Sequence, residues 1–358
     1  MMPNIFNLPA DPRIRRILII KWSALGDVVI STAMFNDIRN AFPHAIIDLH
    51  TLPPYEQLFT DDPLFNELCT IDVRRGQGLR SAWRWLRFML PRAYDAVFDL
   101  QSNDRSRLLM TLWWMTGRSP RWRAGTHPRF PYNVAREEKA GPQHVFDVLR
   151  ETMAAAGVPT LTDRPVLHLR EDHHRRCSEL MGANGLEKGG FAILIPGSNP
   201  RGLLKRWGAE RYADLAVLLK ERGLENVVLL GGPDDREECA RISSLCGGNW
   251  LVNLCGQTRI LDVVPLCAAA RLVVANDTGT AHVASCTPTP MVVICGPTDP
   301  RKVKPVGDNV VALQASLPCI NCYGKTCDHD HACMTSITPE QVFETLRPLL
   351  AQDRLRRS

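Results

Sequence analysis

No apolar run in this chain approaches the roughly 18 to 20 residues needed to cross a bilayer. At its start, Pro3, Pro9 and Pro12 break up the segment before Ile17, so no secretory h-region is read there and an intracellular protein is expected. The sequence also lacks two phosphate-binding signatures. No GxGxxG follows a strand, which disfavours a dinucleotide-dependent dehydrogenase, and no GxxxxGK(S/T) occurs, which excludes a P-loop NTPase. Internal repeats are missing too. What remains is 358 residues, 45% apolar and 23% charged, a composition that excludes disordered and fibrous chains. That length is too great for one core and suits two domains.

Lysine is absent between Arg74 and Arg136, where thirteen arginines stand against three acids, Asp95, Asp99 and Asp104. The same stretch holds Trp83, Trp85, Trp113, Trp114 and Trp122, five of the chain's eight tryptophans. Arginine grips phosphate and carboxylate in a bidentate manner, and tryptophan suits a surface that is part wet and part apolar. Two readings fit: a site for an anionic, partly apolar partner, with Arg84, Arg87 and Arg105 as acceptor-binding candidates, or a solvated basic face over core tryptophans. Nucleic acid is not an expected partner, because no helix-turn-helix, RNP or zinc-finger pattern accompanies the charge.

Disulfide-scaffold density is also missing, although the chain has twelve cysteines. Eight are scattered through apolar or helical surroundings. The other four form Cys319-x2-Cys322-x4-Cys327-x5-Cys333, with His329 and His331 between the last pair. Four thiolates within fifteen residues suit a closed tetrahedral site, so a structural zinc is one expectation. Reduced thiols or a disulfide pair are the other. Asp328-His329-Asp330 has a DxD outline but lies inside this cluster rather than at a strand end, and is set aside.

Apolar patterning predicts strands at 16–21, 45–52 and 96–101, then at 191–196, 226–232, 272–277 and 291–296, with helices between them. Alternating strands and helices mean βαβ units and parallel sheets. The expected architecture is α/β: two Rossmann-like domains facing a central cleft, over 1–165 and 185–337. The segment 338–358, opening on Thr338-Pro339-Glu340, reads as a last helix.

Ligands of such sheets sit beyond the carboxyl ends of the strands. Three strand ends there carry reactive residues: Ser23 to Asp27, Pro196-Gly197-Ser198-Asn199 through Lys205-Arg206-Trp207, and Asn276 to His282. Asp277-Thr278-Gly279 leads from strand to helix, where glycine admits close approach and free N–H groups suit an anion. Lys205 is suited to neutralising a diphosphate, and Asp234 stands where a ribose partner is expected. Taken alone, Asp277 fits a helix cap equally well, and Asp27 fits either a general base or a cap.

The segments KWSALGDVVIST, PGSNPRGLLKRW, LLGGPDDRE and ANDTGTAHVAS, in this order and spacing, resemble glycosyltransferase family nine, the ADP-heptose:lipopolysaccharide heptosyltransferases of Gram-negative bacteria. The resemblance spans about residues 15–350. It implies a GT-B fold with an N-terminal acceptor domain, a C-terminal nucleotide-sugar domain and a last helix packing back across the junction. Similar Cys-rich tails occur in that family, some with iron, so the resemblance adds iron as the alternative metal at Cys319, Cys322, Cys327 and Cys333, and it also implies residue roles. Asp27 matches the catalytic base of a Gly-Asp motif, with Ser23 and Gly26 in the loop beside it. Lys205 matches the lysine that meets the donor diphosphate, and Ser198 a hydroxyl that touches phosphate. Asp277, Thr278, Gly279 and His282 match the donor motif, and Asp234 stands where relatives often carry Glu for the ribose. The implied reaction is a metal-independent, inverting transfer of heptose from ADP-heptose to an anionic lipopolysaccharide inner-core acceptor, at the cytoplasmic face of the inner membrane. A protein or other glycan acceptor, a nucleotide-sugar epimerase of the same architecture and a non-catalytic nucleotide-binding member are the alternatives.

Overall fold

The computed structural model describes residues 6–73, 78–200 and 202–357. The chain divides into two units, Met1–His168 and Leu169–Ser358.

The first unit is built on a parallel sheet of β1 (Arg16–Ile20), β2 (Ile46–His50), β3 (Glu67–Cys69), β4 (Ala96–Asp99), β5 (Trp122–Gly125) and β6 (Val134–Ala135), in the order β3-β2-β1-β4-β5-β6. Its helices are α1 (Leu25–Ala41), α2 (Gly78–Met89), α3 (Asp104–Met115) and α4 (Val145–Ala155). Ile17 to Ile20 are buried throughout, as expected of a central parallel strand covered on both faces. The register pairs Ile20 with Asp99, so the residues that follow β1 and β4 emerge side by side.

The second unit repeats the plan. Its parallel strands are β7 (Phe191–Ile195), β8 (Asn226–Leu229), β9 (Leu251–Asn253), β10 (Leu272–Asn276), β11 (Met291–Cys295) and β12 (Val310–Gln314), in the order β12-β11-β10-β7-β8-β9. Counted from β7, this is the order of the first sheet. Both sheets are therefore doubly wound, and their winding reverses between the first and fourth strands. The helices are α5 (Glu171–Ala183), α6 (Ala209–Glu221), α7 (Arg236–Cys246), α8 (Val263–Ala269), α9 (Gly279–Ala284), α10 (Pro300–Val303), α11 (Ala332–Thr335) and α12 (Pro339–Arg357).

The seven strands predicted from apolar runs are present, each slightly shorter than its run. The five others, β3, β5, β6, β9 and β12, are short or lie towards the sheet edges. A helix, α5, occupies the segment between the two expected domains. It is anchored by buried His173, whose Nδ1 lies 2.8 Å from Oδ1 of fully buried Asp262. The last helix, α12, lies against α6, β11 and β12, with Val342, Leu346 and Leu349 in the core of the second unit. No helix among the described residues is long and apolar enough to cross a membrane.

Candidate active site

In the first unit the chain leaves β1 through Lys21 and Trp22, both buried, and crosses Ser23 and Ala24 before α1 begins. Side chains hold that loop. Gln101 Oε1 accepts the backbone N–H of Trp22 (3.0 Å) and of Ser23 (3.2 Å). Asp27, in the first turn of α1, accepts the N–H of Ala24 on Oδ2 at 3.1 Å. Asp27 thus does act as a cap, half-buried at the carboxyl end of β1, with Gly26 half-buried beside it. Lys21 donates from Nζ to the carbonyl of Leu100 at 3.0 Å. Burial pushes the Lys21 ammonium down from its ordinary range, and the negative charges of Asp27 and Asp99 oppose that.

A second layer supports this loop. Indole N–H groups of Trp22 and Trp85 both donate to Nδ1 of His50, at 3.1 and 2.8 Å, while His50 Nε2 lies 3.0 Å from the carbonyl of Ile71. An Nδ1 that accepts two hydrogen bonds carries no proton, so the imidazole is neutral with its proton on Nε2. Burial pulls its pKa down to about 4. On the other side of β1, buried Asp99 accepts the N–H groups of Gln101 and Ser102 and the hydroxyl of Tyr132, the last at 2.5 Å. Burial raises the Asp99 pKa, and these donors resist the rise. Gly125 makes room for this arrangement, since an added Cβ would lie 2.6 Å from the Tyr132 ring.

In the second unit, Lys205 ends a short 3-10 turn, Leu203–Lys205, and its Nζ lies 2.7 Å from Oδ2 of Asp277 beyond the end of β10. The same oxygen accepts the Thr298 hydroxyl at 2.8 Å. Asp277 is 5% exposed and Lys205 32%, so the carboxylate is buried and the ammonium faces partly outward. Thr278 caps α9 by accepting the N–H of Thr280, Gly279 opens that helix, and His282 is buried within it. Ser198 is buried after β7 and its Oγ accepts from Arg206 Nε at 3.2 Å. Asp234 is exposed in the turn after β8.

Three residues that the sequence reading passed over organise this site. Arg206 donates to Ser198 Oγ and to Asp235 Oδ1, tying the ends of β7 and β8. Asp235 also accepts the N–H groups of Ser198 and Gly232, and Gly197 leaves it space: an added Cβ there would lie 2.0 Å from the Asp235 carboxyl carbon. Asn276, fully buried, donates to the carbonyls of Pro196 and Gly197 and accepts from Trp207 N–H and Tyr212 hydroxyl. All three lie inside the quoted segments. Their role shows only when strands distant in sequence are paired.

The arginine-rich stretch splits between the two sequence readings. Trp85 and Trp113 are core residues, whereas Trp83 and Trp114 are 60% and 45% exposed. Arg92 pairs with Glu67 and Arg136 with Glu151. Arg84 and Arg87 are exposed on α2 and Arg105 half-buried on α3, and none of the three side chains has a partner among the described residues. Arg74, at the start of the stretch, lies outside the described residues.

The cysteine cluster does not meet the metal expectation. Among the described residues no group of three or more His, Cys, Asp or Glu side chains is arranged to hold a metal ion. Cys322 and Cys327 are exposed and Cys319 is half-buried, while Cys333 turns into the apolar core with Met334. Burial, and then the neighbouring Cys327, Cys319 and Cys322, raise the Cys333 thiol above its ordinary range. The segment instead braces the turn that carries Lys205, because His331 Nε2 donates to the carbonyl of Leu204 at 2.5 Å.

Two doubly wound parallel sheets define the α/β architecture of the GT-B class of folds. The profile of glycosyltransferase family 9 (heptosyltransferase) matches residues 82–333, and the chain belongs to that family. It is 26% identical over 356 residues to lipopolysaccharide heptosyltransferase 2 of Salmonella typhimurium, covering 94% of this chain and 99% of that one. A family 9 glycosyltransferase from Veillonella parvula superposes with a TM-score of 0.80 at 22% identity, over 98% of this chain and 99% of the other. The ADP-heptose lps heptosyltransferase II of E. coli does so with a TM-score of 0.73 at 24% identity, over 95% and 99%. At those identities the two solved structures bear on the fold alone.

Proposed function

We propose that this glycosyltransferase moves a heptose from ADP-heptose to an anionic sugar of the lipopolysaccharide inner core, with inversion at the anomeric carbon. The relatives' activity and the pairing of Lys205 with Asp277 support this reading. In it, residues 1–165 hold the acceptor and 185–337 the nucleotide sugar.

A nucleotide-diphosphate sugar brings its own leaving group. The enzyme therefore has two tasks: to take a proton from the acceptor hydroxyl and to meet the charge that grows on the departing diphosphate. Asp27 takes the proton. One of its oxygens is engaged by the Ala24 N–H, which fixes the orientation of the carboxylate as the C–O bond forms. Lys205 meets the diphosphate. Its ammonium is held by Asp277, which is itself fixed by Thr298, so the cation is positioned before substrate arrives. Thr278, Gly279, Ser198 and His282 complete the donor contacts, and Asp234 reaches the ribose. Lysine and backbone amides, rather than a metal, supply the positive charge, and chelation with EDTA is expected to leave the rate unchanged. A single base and no second nucleophile give single displacement, hence inversion.

Exposed Trp83, Trp114 and Phe130, together with unpaired Arg84 and Arg87, suit an anionic acceptor carried on a lipid at the cytoplasmic face of the inner membrane. The test is to incubate the protein with ADP-heptose and truncated lipopolysaccharide acceptors and follow the acceptor by mass spectrometry. The gain of one heptose is the expected result. Donor turnover without acceptor, as in an epimerase, would overturn the reading.

A further inference from the structure

Gln101 follows β4, and its side chain bridges the end of that strand to the loop ahead of Asp27, alongside the bond from Lys21 to the Leu100 carbonyl. Two backbone N–H groups, of Trp22 and Ser23, converge on one atom of its amide, at 3.0 and 3.2 Å. Only the carbonyl oxygen accepts, so that atom is Oε1, and the NH2 group takes the opposite position. Nε2 makes no hydrogen bond to any described residue and is not buried. Its two N–H bonds are therefore open. They are also held still. The Gln101 backbone N–H is bound by Oδ1 of buried Asp99 at 3.0 Å, and the amide oxygen is held by the loop. The neighbouring residue of that loop, Ala24, donates to the Asp27 carboxylate. One short loop thus joins a fixed acceptor of protons to a fixed donor of hydrogen bonds.

We propose that Gln101 Nε2 donates to an oxygen of the acceptor sugar adjoining the hydroxyl that Asp27 deprotonates, and so sets which hydroxyl of the acceptor reaches the base. The partner is an adjoining oxygen because a donor on the attacking oxygen itself would lower its nucleophilicity. The assignment rests on the reading above, in which Asp27 is the base and the first unit holds the acceptor. An amide tied down on one side pays little rotamer entropy when it binds, which suits a selectivity contact.

Gln101→Glu separates the two halves of this amide. A carboxylate still accepts the Trp22 and Ser23 N–H groups, so the loop keeps its support, but the donor becomes an acceptor. With truncated lipopolysaccharide as acceptor, KM for the acceptor should rise about 10- to 100-fold while kcat changes far less. The affinity for ADP, measured by calorimetry, and the melting temperature should hold. Gln101→Leu removes both halves and should lower kcat and melting temperature as well. The KM defect of Gln101→Glu should persist in about 0.5 M salt, where exposed charge repulsion is screened. It should also persist up to about pH 9, because it stems from the lost donor and not from the charge state of the site. If Gln101→Glu keeps acceptor KM within about threefold of wild type while Gln101→Leu fails, Gln101 only braces the loop and the proposal falls. A defect that vanishes in salt or at the higher pH overturns it too. Failure of the wild-type protein to glycosylate the acceptor would sink the functional reading and this assignment together, and is recognised because it needs no variant.

Discussion

Lys205 Nζ lies 2.7 Å from Oδ2 of Asp277, a residue 72 positions away, and the pair is asymmetric: the carboxylate is buried and the ammonium partly open. Lys205→Ala therefore does two things. It removes the charge proposed to meet the diphosphate and leaves Asp277 without its cation, with Thr298 as a remaining donor. We expect affinity for ADP to fall about tenfold or more. Stability should drop by about 1–3 kcal/mol, moderated because Lys205 is a third exposed. Calorimetric titration with ADP and urea unfolding measure the two effects. A double-mutant cycle with Asp277→Asn should return a coupling of about 1–3 kcal/mol.

Asp27→Asn keeps an oxygen that can accept the Ala24 N–H, so the start of α1 should stay intact and the melting temperature should hardly change. The basicity is lost. The expected fall in kcat is on the order of 10² to 10⁴, with ADP affinity unchanged. A well-folded variant retaining more than about a tenth of wild-type turnover would leave Asp27 as a cap alone.

His50 should make stability depend on pH. It is neutral in the folded protein, with a pKa pulled down to about 4, against an ordinary value near 6.5 for an exposed histidine. Between those values the unfolded chain binds the extra proton and the folded chain does not, so stability rises with pH there. Its contribution is complete above about pH 6.5 and is lost as pH falls towards 4, by up to about 3 kcal/mol. Urea midpoints measured across this window should show the loss in wild type. His50→Gln, which cannot titrate, should be less stable at neutral pH and flatter across the window.

Replacing Arg84, Arg87 and Arg105 together by Gln should weaken acceptor use and binding to anionic lipid vesicles while ADP affinity stays unchanged. None of the three has a partner to lose within the described protein, so the fold should be unaffected. Raising salt should imitate the substitutions in the wild-type protein, because exposed charges are screened over about 8 Å at physiological ionic strength. Unchanged acceptor KM and vesicle binding under both treatments would make this a solvated face. Trp83→Ser should add to the loss on vesicles, since its ring is exposed beside Arg84.

Much of the fold was legible in the sequence because its central strands are continuous apolar runs, and burial on both faces allows little else. Ile17 to Ile20 and Phe191 to Ile195 announce themselves in this way. The edge strands do not. Glu67–Cys69 and Val134–Ala135 are three and two residues long, and their conformation is imposed by a neighbour already in register. α5 falls between the two domain spans expected from the sequence for a similar reason: its anchor, His173 on Asp262, joins residues 89 positions apart. The four cysteines were close in sequence, yet Cys333 turns inward to the core while Cys322 and Cys327 stay exposed, so spacing alone did not make a metal site.

The sequence by itself determined the central strands, the helices alternating with them and the two-unit plan, because backbone conformation and burial follow from local patterns of apolar and turn-forming residues. Tertiary structure alone decided which of those residues act together. Asp277 holds Lys205, Gln101 holds the loop before Asp27, and Trp22 and Trp85 share His50. Each of these is a hydrogen bond or ion pair between residues 28 to 79 positions apart, and its partner is set by how strands, helices and turns pack together rather than by anything adjacent in the chain.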